Sequence, residues 1–182
     1  MQRDLVERAR GGDADAFAEL AGLAGDRLYG IASRILRDGD RAADATQQAL
    51  IAVWEGLLGL RDPDRFDAWA CRLVVNASYR VARREGRFAA RVREIRVATV
   101  SEDEVHAIDD RDEVDRAFRR LSPEHRAVLV LHYYAGLPVT RIAEALGIAD
   151  GTAASRLHHA TRQLRAAVEA DARTEAAWRT TA

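Results

Sequence analysis

"LGIADGTAASRLHHATRQLR", residues 146–165, decides how the C-terminal half of this chain is read. Gly147 closes a short apolar-periodic segment, "PVTRIAEALG", in which Ile142 and Leu146 point inward. Asp150 or Thr152 is placed to cap a second segment, whose inward stripe is Ala153, Leu157, Ala160, Leu164 and Val168. Two helices joined by a Gly-containing turn set the second across the first, in position to enter a major groove. Ala143 is small enough to let them approach. Yet the first turns of the second helix offer only Thr152, Ala153, Ala154 and Ser155, and no basic residue precedes Arg156.

The same period extends through the rest of the chain, and no strand pattern interrupts it. "LSPEHRAVLVLHYYAGL", residues 121–137, begins with Ser122 as a cap and Pro123 at the first helical position, and Gly136 ends it. Ala127, Leu131 and Tyr134 share one face. Nearer the N-terminus, Phe17, Leu20, Leu23, Leu28, Ile31 and Ile35 recur at steps of three to five, behind Asp13 as N-cap. A second helix is predicted from about Arg41 to Leu57, with Ala45, Ala49, Ala52 and Val53 inward. "GLRDPDRF", residues 59–66, is a turn built on Pro63 between two aspartates. A third helix starts near Phe66, continues through Trp69, Leu73, Val74, Ala77 and Val81, and carries Arg80, Arg83, Arg84 and Arg87 in its last turns. The expected fold class is all-α: two small helical domains, 1–96 and 112–170, joined by a linker at 97–111 and followed by a tail at 171–182.

The net charge of −1 over 182 residues conceals strong blocks. All 28 basic residues are Arg. Residues 1–69 carry 9 Arg against 13 acids, and residues 70–96 carry 8 Arg against 2. Residues 97–118 reverse this, with 2 Arg against 8 acids, and residues 119–165 hold 7 Arg against 3. Two basic blocks flanking an acidic one are the layout of two separate surfaces that meet a polyanion. Arginine is suited to that task, because its planar fork of donors matches phosphate and guanine.

Function classes are narrowed by what the chain lacks. Cys71 is a single cysteine, so it has no partner within the chain, and a reducing compartment fits. The N-terminus has no apolar signal core, and no run of about 18 apolar residues could span a bilayer. These features predict a cytoplasmic protein without membrane insertion. His132, His158 and His159 have no Cys or carboxylate at ligand spacing, so no metal site is expected. No nucleophile, base and orienting acid can be assembled, so neither catalysis nor a cofactor is expected.

On these residues, the chain resembles the extracytoplasmic-function sigma factors, with their regions two and four. Region four is matched by Leu121, Pro123, Arg126, Tyr133, Gly136, Leu137, Ile142, Ala143, Gly147, Gly151, Thr152, Ser155, Arg156, Leu157 and Leu164. "DRAADATQQALIAVW", residues 40–54, is similar to the family's helix for binding core RNA polymerase. The resemblance therefore implies a polymerase-binding role for Asp40, Asp44, Gln47, Gln48 and Trp54. "FDAWACRLVVNASYRVARREGR", residues 66–87, resembles the promoter-melting helix, and the loop before it resembles the specificity loop. That implies downstream-element contacts by Asp62, Arg65, Phe66, Trp69, Arg72, Asn76, Arg80, Arg83 and Arg84. The residues independently suit single-stranded nucleic acid, which is held by phosphate neutralisation beside stacking surfaces. Trp69 can serve core, strand or both, and Asn76 can bind a base or cap local backbone. Upstream-element contacts are implied for Arg141, Thr152, Ala154, Ser155, Arg156, His159 and Arg162.

Three departures from the family pattern stand out. Gln48 replaces an acid, while Ala45 and Thr46 replace bulkier apolar residues. Ala154 stands where Lys is common, and His159 and Thr161 stand where Arg is frequent. The implied partners are core RNA polymerase and promoter DNA, and an anti-sigma protein is a further partner the resemblance allows. The implied path of the acidic linker is the polymerase's RNA-exit channel. The competing reading is a stand-alone helix-turn-helix regulator with a helical sensor domain.

Overall fold

The computed structural model describes the backbone of residues 2–96 and 113–181. The linker expected at 97–111 lies outside the described residues. Among the described residues, eight α-helices follow in chain order: α1 Gln2–Arg10, α2 Ala14–Leu36, α3 Gly39–Gly56, α4 Phe66–Arg96, α5 Glu113–Arg119, α6 Pro123–Leu129, α7 Val139–Leu146 and α8 Asp150–Thr181. A π turn, Val130–Tyr134, prolongs α6, and a short 3-10 turn, Pro63–Arg65, precedes α4.

The helix α1 has no counterpart among the sequence expectations. Its nine residues are mostly charged, but Leu5, Val6 and Ala9 fall on one face and are buried. The helix α2 starts where expected: the Asp13 carboxylate accepts the Ala16 N–H at 2.9 Å. Its inward stripe is corrected at one position. Leu23 is 58% exposed, and the smaller Ala24 packs toward the core instead. The sequence Leu20, Ala24, Leu28, Ile31, Ile35 keeps a helical step throughout, whereas placing Leu23 inward forces a step of five. Asp38 caps α3, accepting the Arg41 N–H at 2.9 Å. Neither Asp150 nor Thr152 precedes α8 as a cap; Asp150 is its first residue, and the Ala153 N–H bonds to Ala149 O at 3.0 Å. Residues from 171, expected as a tail, continue α8.

The helices α2, α3 and α4 form the N-terminal bundle, with α1 against α2. The helices α5 and α6 pack on α8, and α7 packs on α8 in the turn-joined pair. Asp171 is tied to this second group by Arg120 at 2.6 Å and Arg116 at 3.8 Å. The two groups also meet directly. The helix α2 contacts α6 and the π turn, and α4 contacts α7. One continuous apolar cluster runs from Leu20, Ile31 and Val74 to Leu131, Ile142 and Ala160.

Candidate functional site

Three surfaces carry the residues singled out in the sequence. The first lies along α3. Asp40, Asp44, Gln47, Ile51 and Trp54 recur at steps of four and three, so they form one exposed stripe. Ala42, Ala45, Ala49 and Val53 are buried on the opposite face. Gln48 is half-buried at the edge of the stripe. Beside it, α2 and α3 enclose an open apolar groove of about 650 Å³, lined by Phe17, Tyr29, Thr46, Gln47, Leu50, Ile51 and Trp54. Phe17 and Trp54 meet edge to face at 4.6 Å between ring centres. Trp54 and Ile51 each remain 50% exposed, an unusual amount of apolar surface to leave in water. Phe17, Tyr29, Leu50 and Ile51 were not expected here. The signal for Ile51 was its place in the same spacing as Asp44 and Gln47.

The second surface is the outer face of α4 and the loop before it. Asp62 caps the 3-10 turn by accepting the Asp64 N–H at 3.0 Å, and it pairs with Arg65 at 3.5 Å. Arg3 of α1 reaches Asp64 at 2.9 Å, so the N-terminal helix braces this loop. Arg72, Asn76 and Arg80 are exposed one turn apart, and Arg83 and Arg84 follow, also exposed. The opposite face, with Val74, Val75, Ala77 and Ser78, is buried. Asn76 has its side chain in solvent, not in the core. Phe66 is 2% exposed, so it is a core residue and not a stacking platform. Trp69 is half-buried: a Cβ on Gly56 would come within 2.9 Å of its ring, so the absence of a side chain at 56 admits the indole.

The third surface is the turn-joined pair α7 and α8. Gly147 adopts φ 65°, the left-handed conformation that favours glycine, and Ile148 N–H closes on Ala143 O at 3.1 Å. Ala143 and Ala153 are fully buried where the helices cross. Thr152, Ala154, Ser155, His159 and Arg162 are exposed on α8. Arg141 is half-exposed and bonded to Glu144 at 2.9 Å. Arg156 is only half-exposed, and its charge acts on Tyr79 of α4. Burial pushes the Tyr79 hydroxyl up to about 12, Glu124 adds to the rise, and Arg156 and Arg83 oppose it.

The comparisons with known proteins match both helical groups in chain order. Residues 23–88 match the family model for sigma-70 region 2, and residues 111–164 match that for sigma-70, region 4. The chain is 37% identical over 143 residues to the ECF RNA polymerase sigma factor SigL of Mycobacterium tuberculosis, covering 76% of this chain and 80% of that protein. The chain belongs to the extracytoplasmic-function sigma factors. SigK of Mycobacterium sp. (strain JLS) is 31% identical, over 90% of this chain and 86% of its own. SigW of Bacillus subtilis is 25% identical, over 91% and 95%. Among solved structures, CnrH in complex with the cytosolic domain of CnrY superposes with a TM-score of 0.67 at 27% identity, over 93% of this chain and 98% of that one.

As a sigma factor the protein directs transcription initiation: it binds core RNA polymerase and recognises promoter DNA, and it is not an enzyme. Membership in this family displaces the stand-alone regulator as a reading. Among the described residues, no helix is long and apolar enough to cross a membrane, and no cluster of His, Cys, Asp and Glu could hold a metal ion.

Proposed function

We propose that the three surfaces divide the work of the sigma factor. The α3 stripe and the apolar groove beside it dock on the polymerase clamp. Asp40 and Asp44 supply directed charge, while Trp54 and Ile51 supply the buried centre that a protein interface needs. The α4 face, with Arg72, Asn76, Arg80, Arg83 and Arg84, holds the unpaired strand of the downstream element. The loop carrying Asp62 and Arg65 presents polar groups to an unstacked base, and Trp69 supports it from the half-buried side. The α8 face reads the upstream element as duplex through Thr152, Ala154, Ser155, His159 and Arg162, with Arg141 and Arg156 at its edges. Residues 1–96 are the polymerase-binding and melting domain, and 112–170 the duplex-reading domain. The protein works in the cytoplasm, and an anti-sigma protein occupying the α2–α3 groove would keep it from polymerase.

The observation that carries this reading is the alignment of Asp40, Asp44, Gln47, Ile51 and Trp54 on one exposed stripe against an open apolar groove. Asp44→Arg tests it. Asp44 is exposed and makes no structural cap, so helix content should be unchanged. Co-purification with core polymerase should be lost. Normal holoenzyme formation by this variant would defeat the assignment.

A further inference from the structure

The helix α1 lies ahead of the residues that match region 2, and it stands beside the loop that precedes α4. Nine residues are too few to hold a helix in water alone. Its place is set by Leu5, Val6 and Ala9, all buried in the core. So docked, α1 touches α2 and two 3-10 turns, Leu57–Gly59 at the end of α3 and Pro63–Arg65 before α4. The loop itself has few anchors. Leu60 and Phe66 are buried, but Arg61, Asp62, Asp64 and Arg65 between them are exposed. The Arg65 N–H bonds to Asp62 O at 3.1 Å, and the Asp62 carboxylate accepts the Asp64 N–H at 3.0 Å. These bonds close within the loop, so they fix its shape but not its direction. Arg3 of α1 supplies the tie to another element. Glu7 accepts the Arg3 Nε–H at 3.1 Å, which orients the guanidinium, and Nη1 donates to Asp64 Oδ2 at 2.9 Å. Among the described residues, this is the loop's one side-chain bond to another helix. It also completes a balance of charge. Asp62 is paired with Arg65, and Asp67, at the start of α4, with Arg27 of α2 at 3.4 Å.

We propose that Arg3 is a positioning residue for promoter recognition: through Asp64 it steers the loop of Asp62 and Arg65 into the direction in which an unstacked base is read, without touching that base itself. This rests on the reading of that loop as the element that meets the base. Groups that discriminate between ligands must be held to within about 0.5 Å of the productive geometry. A loop free to swing between Leu60 and Phe66 would meet right and wrong bases in many poses, which levels the difference between them. The helix α1 is a rigid post for this purpose, because its buried face fixes it and its exposed face carries Arg3. The ion pair is exposed, so its loss is worth a few-fold and not orders of magnitude.

Arg3→Ala in the full-length chain tests the brace. In the free protein, amide hydrogen exchange over residues 61–66 should quicken about threefold, with the thermal midpoint unchanged. In holoenzyme, the probes are a promoter transcribed from a genomic library and copies of it with single base changes in the downstream element. The ratio of open-complex formation on the parent to that on the copies should fall about threefold. Asp64→Ala should lower the ratio equally, and the double variant should be no worse than either, because the same bond is lost in all three. Arg3→Lys should keep most of the discrimination. Raising the salt should narrow the gap between wild type and Arg3→Ala, since exposed ion pairs are screened. Core-polymerase binding should not change. Unchanged exchange overturns the brace, whatever the discrimination. Equal weakening on all duplexes, relieved by adding Asp64→Ala, overturns positioning and makes Arg3 a counter-charge only. Faster exchange with discrimination kept, although replacing Asp62 and Arg65 by Ala abolishes it, overturns the role in recognition. If that last replacement also leaves discrimination intact, the brace stands and the loop is not what reads the base.

Discussion

The guanidinium of Arg126 joins three backbone carbonyls: Ile35 O in α2 at 2.6 Å, Leu121 O at 3.0 Å and Arg119 O at 3.3 Å. Burial lowers its pKa, and the nearby Arg37 lowers it further. One side chain thus fixes the start of α6, the end of α5 and the end of α2. Arg126→Ala should destabilise the protein by about 3 kcal/mol, since charged hydrogen bonds are lost and carbonyls are left without donors. Arg126→Lys should recover only part of this, because an ammonium cannot span three carbonyls as a planar fork can. Urea unfolding at neutral pH measures both. Equal midpoints for all three proteins would show that water caps these carbonyls equally well.

Ile51→Asp should weaken core-polymerase binding at least tenfold while leaving thermal stability nearly unchanged. The side chain is half in solvent, so the folded chain loses little, but a charge at the centre of an apolar contact is costly. Trp54→Ala should weaken binding similarly and also cost about 1 kcal/mol of stability through the lost Phe17 contact. Titration of labelled core enzyme gives the first number and thermal melts the second.

Replacing both Arg83 and Arg84 by Ala should reduce open-complex formation. If each contacts a phosphate, the slope of log affinity against log salt should fall by about 0.7 for each lost contact with a single strand. Permanganate footprints of the melted region should weaken in parallel. Unchanged footprints and slopes would place melting elsewhere.

On α8, Ala154 is exposed, and the proposed duplex-reading role of this face would let a longer cation there reach the groove. Ala154→Lys should strengthen upstream-duplex binding by holoenzyme by about 1 kcal/mol if the ammonium meets a base or phosphate. Arg156→Ala should cost about 1–3 kcal/mol and relax specificity at one base pair if Arg156 turns out from its half-buried place to read a guanine. Binding that is indifferent to both changes would mean that this face is turned away from DNA.

Stability should fall in alkali. Burial pushes the Cys71 thiol up to about 11 and the Tyr79 hydroxyl up to about 12. Both groups hold their proton more tightly in the folded than in the unfolded chain, whose values are near 9 and 10. Their contribution is therefore complete below about pH 9 and is lost as pH rises through about 11 to 12. Two units on Cys71 correspond to about 2–3 kcal/mol. Urea midpoints should decline above pH 9 in wild type and less steeply in Cys71→Ala. The same burial should leave Cys71 unreactive toward thiol reagents at neutral pH until the chain unfolds.

Much of this architecture is legible in sequence because it rests on local signals. Asp13, Ser122, Pro123 and Gly147 mark helix ends through bonds within a few residues, and all four act as expected. What was not legible depends on distant neighbours. Phe66 has the composition of a stacking residue, but its place at the start of α4 turns it into the bundle. The helix α1 was hidden because Arg3, Glu7, Arg8 and Arg10 dominate its composition, although three small apolar residues are enough to dock it on α2. The α2–α3 groove joins Phe17 to Trp54, and the packing of the π turn on α2 sets Tyr134 against Gly30. No periodicity within one segment announces either pairing.

The π turn at Val130–Tyr134 makes the place of a length change decisive. Its Ala135 N–H reaches back five residues to Val130 O, at 2.9 Å. The segment therefore carries one residue more than a regular helix of the same rise would hold. Removing one residue there would restore regular winding and leave the turns on either side in nearly the phase they have now. The α7 face would stay set on α4. The same deletion within the regular turns of α6 would instead swing everything downstream by about 100° around the helix axis. A single-codon deletion is thus absorbed between 130 and 134 and becomes a phase error one turn earlier.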